Sequence, residues 1–236
     1  MAINLQTDAI LSTTATTDQT APWPIGRSAV PDSAHVSGIE IRLSRVLVKD
    51  NHTPRVGPFP GRADVYLLVV IFDDLMQEPQ TLSLEGFQGV NDDDALLVDR
   101  TVYYWKKDDS SRPPSQIHVL VSLLKSKKQL RNTAQVLAAA KTSAPYQNLV
   151  SQVAGAIATA PTQAVNLILQ LGTTVGSLLT DVEDRTLFTQ VASFTDLNGD
   201  FDAVGKTAHE QQNHYVATTL TVVVRDADRV PATPQA

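Results

Sequence analysis

The chain contains no cysteine. That excludes a disulfide framework, a thiolate metal centre and a cysteine nucleophile. It fits a reducing compartment and is equally compatible with export in a disulfide-free form. No continuous apolar run reaches the roughly 20 residues that a membrane-crossing helix needs. Met1 to Leu11 lack the basic stretch followed by an apolar core that marks a secretory signal. The expected location is the cytoplasm, or outside the cell by a route that uses no such signal. Acidic residues are missing from a long internal stretch. Between Ser110 and Thr180 there is no Asp or Glu, although Arg112, Lys125, Lys127, Lys128, Arg131 and Lys141 lie there. From Thr142 to Thr180 there is no charge of either sign. The net charge of -6 is therefore carried entirely by the remaining segments. An acidic chain is a poor general binder of phosphate backbones, so nucleic acid is not an expected partner.

Catalytic signatures are also missing. There is no G-x-S-x-G elbow, Walker phosphate loop or Rossmann glycine pattern. His209 and His214 are five apart beside Glu210, in what reads as a polar loop, and do not have the spacing of a zinc-protease helix. His118 alternates with apolar residues. No catalytic residue is assigned and no enzyme is expected. A hydrolase built from scattered acids is the residual reading.

What is present is 42% hydrophobic residues, enough for a packed core. Residues 1–37, rich in Thr, Ala, Ser and Pro, read as an irregular N-terminal arm, and 226–236 as a C-terminal tail. Between them, 38–225 read as one domain with a helical insert at 126–180. Ile39, Ile41, Leu43 and Leu47 mark the apolar face of a first strand. Val65 to Phe72 is a continuous β-branched apolar run, expected as a central strand buried on both faces. Thr81 to Leu84, Ala95 to Trp105 and the alternating Ile117, Val119, Val121 and Leu123 read as further strands.

The period then changes. Ser126 and Gln129 match a capping box. Pro145 stands near the start of a second helix and Pro161 opens a third. Strands return at Thr186 to Thr195 and at Tyr215 to Arg225. The expected fold is mainly β: an antiparallel β-sandwich of about seven to eight strands, with three helices inserted before the last two strands.

Two features point towards function. Surface helices normally carry charge on their outer face. Uncharged ones are covered by the sheet, the arm or a partner subunit, or they make membrane or self-assembly contacts. Gly172 and Gly176 are spaced to let helices approach closely, and the basic cluster from Lys125 to Arg131 could meet acidic lipid. Peripheral membrane contact is therefore kept open. Tyr103, Tyr104 and Trp105 are the densest aromatic cluster, either a platform for sugar or a partner, or core and sheet edge.

Carboxylates gather at strand ends: Asp73 and Asp74, Asp92 to Asp94, Asp108 and Asp109, then Asp196, Asp200 and Asp202 beside Asn198 and Gly199. Calcium takes six to eight oxygens, often from several carboxylates on one loop. Equally, Asp is a turn former. The strand ending in Asp73-Asp74 and the spaced Asp196, Asp200 and Asp202 before the last strand resemble the arrangement of C2 domains, antiparallel sandwiches that bind calcium and then membranes. The resemblance implies those five Asp residues as metal ligands and calcium as cofactor; without it no cofactor is expected. Two functions follow. One is a non-enzymatic binding or assembly module that meets a protein partner, or a second copy, through the sandwich and the uncharged insert. The other is a C2-like calcium-dependent binder of membranes or partners.

Overall fold

The strand from Ala63 to Asp73 (β2) is buried along nearly its whole length and organises the molecule. Its side chains alternate between two cores, as strand geometry requires. Val65, Leu67, Val69 and Ile71 point into one, and Tyr66, Leu68, Val70 and Phe72 into the other. This is why the sequence there is continuously apolar. The computed structural model describes residues 36–54, 61–107, 112–126, 132–179, 185–202 and 204–226. The expected arm falls outside these apart from its last two residues, and so does the tail apart from Asp226.

Nine strands are present among the described residues: β1 (Val36–Val48), β2, β3 (Thr81–Val90), β4 (Asp94–Leu96), β5 (Arg100–Lys106), β6 (Gln116–Ser126), β7 (Arg185–Thr195), β8 (Gly205–Gln212) and β9 (Val216–Asp226). Every pairing is antiparallel. One sheet runs β3-β2-β6-β7. In the other, β8-β9-β1 is continued by β4 and β5 on the far edge of β1. The sheets face each other across the first core, making a sandwich. The second core lies on the outer face of the four-stranded sheet and is roofed by three helices, α1 (Thr133–Thr142), α2 (Ala144–Ala156) and α3 (Pro161–Leu179). Ile168, Leu171 and Val175 of α3 are fully buried there. Burying such a side chain contributes about 1.5–3 kcal/mol.

Several expectations are corrected. The helices precede three strands, because β8 lies between Gly205 and Gln212. Its sequence, GKTAHEQQ, has no apolar alternation; as an edge strand paired only to β9 it needs none. His209 is therefore on a strand and not in a loop. The stretch Ala95 to Trp105 divides into β4 and β5 around the exposed Leu97. In β1 a register shift between Leu43 and Arg45 reverses the alternation, so Val46 and Val48 enter the core in place of Leu47.

The capping box is not used. Ser126 ends β6, and α1 is capped by Asn132, whose Oδ1 accepts from the amides of Ala134 and Gln135. Gln129 lies outside the described residues. Gly172 and Gly176 meet the sheet, at Leu120 and Leu124 of β6, rather than another helix. Lys125 is buried, and its Nζ donates to the His52 carbonyl at 2.8 Å and to Thr53 Oγ1 at 2.6 Å. It forms no exposed basic patch; Lys127, Lys128 and Arg131 lie outside the described residues.

Candidate functional site

The fold settles the relative position of the acidic loops. Strands β2 and β7 are both antiparallel to β6. Asp73 pairs with Ile117 and Thr195 with Gln116, so the two loops leave the same end of the sheet. The start of β6 lies between them. Asp74 N donates to the Gln116 carbonyl at 3.3 Å, and Asp196 N to the Ser115 carbonyl at 3.0 Å.

The carboxylates at this end are engaged within the protein. Asp73 is 2% exposed. Its Oδ1 accepts from Leu75 N and Met76 N, both at 3.1 Å, and its Oδ2 from the Tyr103 hydroxyl at 2.9 Å. Burial and the Asp73 charge both hold the Tyr103 phenol above its ordinary pKa, so it stays a donor. This bond ties the two sheets together. Asp74 accepts four bonds: Ser115 N at 2.9 Å and Gln116 N at 3.2 Å on Oδ1, Ser115 Oγ at 2.5 Å and Arg112 Nη2 at 2.9 Å on Oδ2. Burial pushes its pKa up, but the Ser115 hydroxyl, the Gln116 amide and Arg112 outweigh that, and the net shift is downward.

In the other loop, Asp200 Oδ2 accepts from Thr195 N at 2.8 Å. Gly199 turns the chain at a φ of 74°, and Asp196 begins a single 3-10 turn. Asp202 is half-buried beside Gly199. The loops are thus brought to one end, but their carboxylates do not converge. Among the described residues, no group of three or more His, Asp or Glu side chains could hold a metal ion. Asp92 and Asp94 are turn residues: Asp92 accepts from Asn51 N, and Asp94 from Asn91. Asp108 and Asp109 lie outside the described residues.

His52 and His214 both stand edge-on to the Tyr215 ring, and His214 Nε2 lies 3.7 Å from Asp50 Oδ2; of the other two described histidines, one is buried and one half-buried. His118 is fully buried beneath the helical layer, where burial lowers its pKa to about 4 against the opposing charge of Asp74. Its Nδ1 is 2.8 Å from Ser193 Oγ, and its Nε2 has no partner. The His209 ring stands edge-on to Phe194 at 5.0 Å, and burial lowers its pKa as well.

The helical layer has an apolar underside and an outer face that is exposed. That face presents Ala138, Ala139, Gln152, Gln163, Asn166 and Gln170, among others. Three hydroxyls of α3 turn back onto their own helix. Thr173 Oγ1 donates to the Leu169 carbonyl, Thr174 Oγ1 to Gln170, and Ser177 Oγ to Thr174, at 3.0, 3.0 and 2.8 Å. Such a face is neutral, and these three hydroxyls are already satisfied. Lys141, at the end of α1, is the charge nearest to it along the chain.

Sequence reasoning missed a cleft beside this layer. A cavity of about 730 Å³ lies between Gln77–Leu82, where β2 connects to β3, and Lys141, Tyr146, Gln147, Val150, Ser151 and Ala154 of α1 and α2. A depression of about 230 Å³ continues past Gln80 and Thr81 to Thr101–Tyr104. In the sequence Tyr146 follows Pro145 and precedes the apolar Leu149, Val150 and Val153 at helical spacing. The available signal was its hydroxyl, which needs water or a partner. Of the aromatic cluster, Tyr103 and Trp105 are buried, and Tyr104 is 58% exposed beside the smaller depression.

No helix of the described residues is long and apolar enough to cross a membrane. No protein-family model matches the chain, and no curated protein matches it. Among the solved structures that match is one titled as a Drosophila C2-DSL-EGF1 structure. It is 6% identical, and the match covers 80% of this chain and 67% of that one. Its TM-score is 0.31, too low for the likeness to carry an argument about fold or function.

Proposed function

We propose that this protein is a non-enzymatic binding or assembly module whose helical layer docks on a protein surface, a second copy of the chain being the first candidate. The observation that carries the reading is the exposed outer face of α2 and α3, which has no charged residue from Thr142 to Leu179. An acidic chain repels its own copies over most of its surface. A face without charge can be covered without the large cost of desolvating ions. The test is sedimentation of the full chain at micromolar concentration, alongside Gln152→Glu/Gln170→Glu. Both positions are exposed, so the double variant keeps its melting temperature. Self-association of the parent, lost in the double variant, supports the reading. A monomeric parent removes self-assembly and leaves only a different protein as partner.

The second reading is a C2-like, calcium-dependent membrane or partner binder. It is favoured by the shared end of the two acidic loops and opposed by the engagement of Asp73 and Asp74. A ligand that binds only the folded state raises the melting temperature. A calcium-specific rise, absent with magnesium and lost in Asp196→Asn/Asp200→Asn/Asp202→Asn, carries this reading. Equal melts in calcium and chelator remove it.

A further inference from the structure

The cleft between the β2–β3 connection and the α1–α2 pair has the size and the chemistry of a ligand site. Small-molecule sites occupy roughly 300–1,000 Å³ and place a few polar groups on an apolar floor. Here the apolar part is Pro79, Leu82, Val150 and Ala154. The polar part is open to the cleft. The Tyr146 ring is largely buried, but its hydroxyl opens into the cleft and makes no hydrogen bond to the described protein. That hydroxyl is therefore available to whatever enters the cleft. Gln77, Gln80 and Ser151 likewise bring amides and a hydroxyl to the same walls without a protein partner.

The charges narrow the ligand class. One carboxylate, Glu78, and one ammonium, Lys141, line the cleft. A phosphate-rich ligand would want several cations. An extended peptide is usually held by main-chain bonds along a strand edge, and the neighbouring seam is already closed by side chains. Thr81 Oγ1 donates to the Val102 carbonyl at 2.6 Å, Arg100 donates to Ser83 Oγ at 3.1 Å, and Arg100 also pairs with Glu85. What fits is an uncharged molecule bearing many hydroxyls and an apolar C–H face.

We propose that the cleft binds a neutral oligosaccharide. Its hydroxyls pair with Tyr146, Gln77, Gln80, Ser151 and Glu78, and its chain continues through the smaller depression onto the exposed ring of Tyr104. Amides and a carboxylate are suited to vicinal hydroxyls because they donate and accept side by side. An aromatic face next to them takes the C–H side of a sugar ring. This inference is independent of the helical docking face.

The test is titration of the ¹⁵N-labelled full chain with cellohexaose, maltohexaose, laminarihexaose and chitohexaose up to millimolar concentration, with an uncharged Gly-Ser-Gln peptide as the competing probe. Saturable shifts confined to residues 77–82, 101–104 and 141–154 with at least one sugar are expected. Tyr146→Phe and Gln80→Ala should each weaken binding by about tenfold, the scale of one lost hydrogen bond. Tyr146→Phe should melt where the parent does, because the hydroxyl has no protein partner to lose. The proposal is overturned by the absence of saturable shifts with all four sugars. Binding that is unchanged in both variants, or seen with the peptide alone, also overturns it.

Discussion

Gly172 of α3 lies directly over Leu120 of β6: a methyl group built at the glycine would stand 2.5 Å from Leu120 Cδ2. Leu120 is fully buried in the core beneath the helices, so it has little room to give way. Replacing a helical glycine by alanine normally gains up to about 1 kcal/mol. Overpacking a close-packed site costs about 1–3 kcal/mol. Gly172→Ala is therefore expected to lower the melting temperature. Gly155→Ala in α2, with no atom within 4 Å of the added methyl, is expected to raise it. Thermal melts of the two variants should move in opposite directions. A rise in both would mean that α3 does not rest on β6 at Gly172.

Asp74 gives a second prediction, and it separates turn chemistry from metal chemistry. Asp74→Ala leaves the amides of Ser115 and Gln116 without their acceptor, at a cost of about 2–4 kcal/mol. The loss should be the same in calcium and in chelator if the carboxylate works only as a local acceptor. The sign of its pH dependence follows from the lowered pKa. The contribution is complete above the ordinary carboxyl value near 3.8 and is lost as pH falls through the lower folded value. Denaturant midpoints at neutral pH should therefore show the whole cost. A calcium-dependent difference between variant and parent would return Asp74 to the list of metal ligands.

How much of this was legible in the sequence depended on whether one residue pattern had one physical cause. Val65 to Phe72 was clear, because burial on both faces leaves no polar position. The three helices were clear from Pro145, Pro161 and the change of period. The strand β8 was hidden because an edge strand is held by backbone bonds and asks little of its side chains. The face of Val46 and Val48 was hidden because a bulge reverses alternation without marking the sequence. The acidic loops were correctly placed at strand ends, and the sandwich puts them at the same end. Their hydrogen-bond partners, Ser115, Gln116 and Tyr103, come from distant segments and could not be read. The cleft was invisible for the same reason: Gln80 and Tyr146 meet only in three dimensions.

His118 predicts a pH dependence. Its folded pKa, about 4, lies below the ordinary 6.5, so the unfolded chain binds the proton more readily. Stability is complete above pH 6.5 and falls as the pH drops from there towards 4. Between pH 7 and pH 5 this single group should remove about 2 kcal/mol. His209 acts in the same direction, so the measurement compares the parent with His118→Leu. The difference between urea midpoints at pH 7 and pH 5 should shrink in the variant. An unchanged difference would show that His118 is not held neutral by burial.

Asn51 offers the sharpest test of a buried polar group. It is fully buried, and its Nδ2 donates to the carbonyls of Gly61 at 2.7 Å and Val90 at 2.8 Å. Its Oδ1 accepts from Thr53 N at 2.8 Å, and its own amide donates to Asp92 Oδ1 at 2.9 Å. One side chain thus pins the segment after β1 to the end of β3. Asn51→Ala forfeits three bonds and leaves two carbonyls unpaired, for a cost of about 2–4 kcal/mol. Asn51→Asp keeps the shape but aims an acceptor at those same carbonyls, so it must either bury a charge against them or take up a proton. The aspartate variant is therefore expected to be less stable than the parent at pH 7 and to recover part of the loss at pH 5, where protonation restores a donor. The histidine losses over that interval are common to both proteins, so the expected sign is a narrowing of the gap between them. Urea melts of the three proteins at the two pH values decide it. If the gap between Asn51→Asp and the parent were as wide at pH 5 as at pH 7, the side chain would not be facing the Gly61 and Val90 carbonyls.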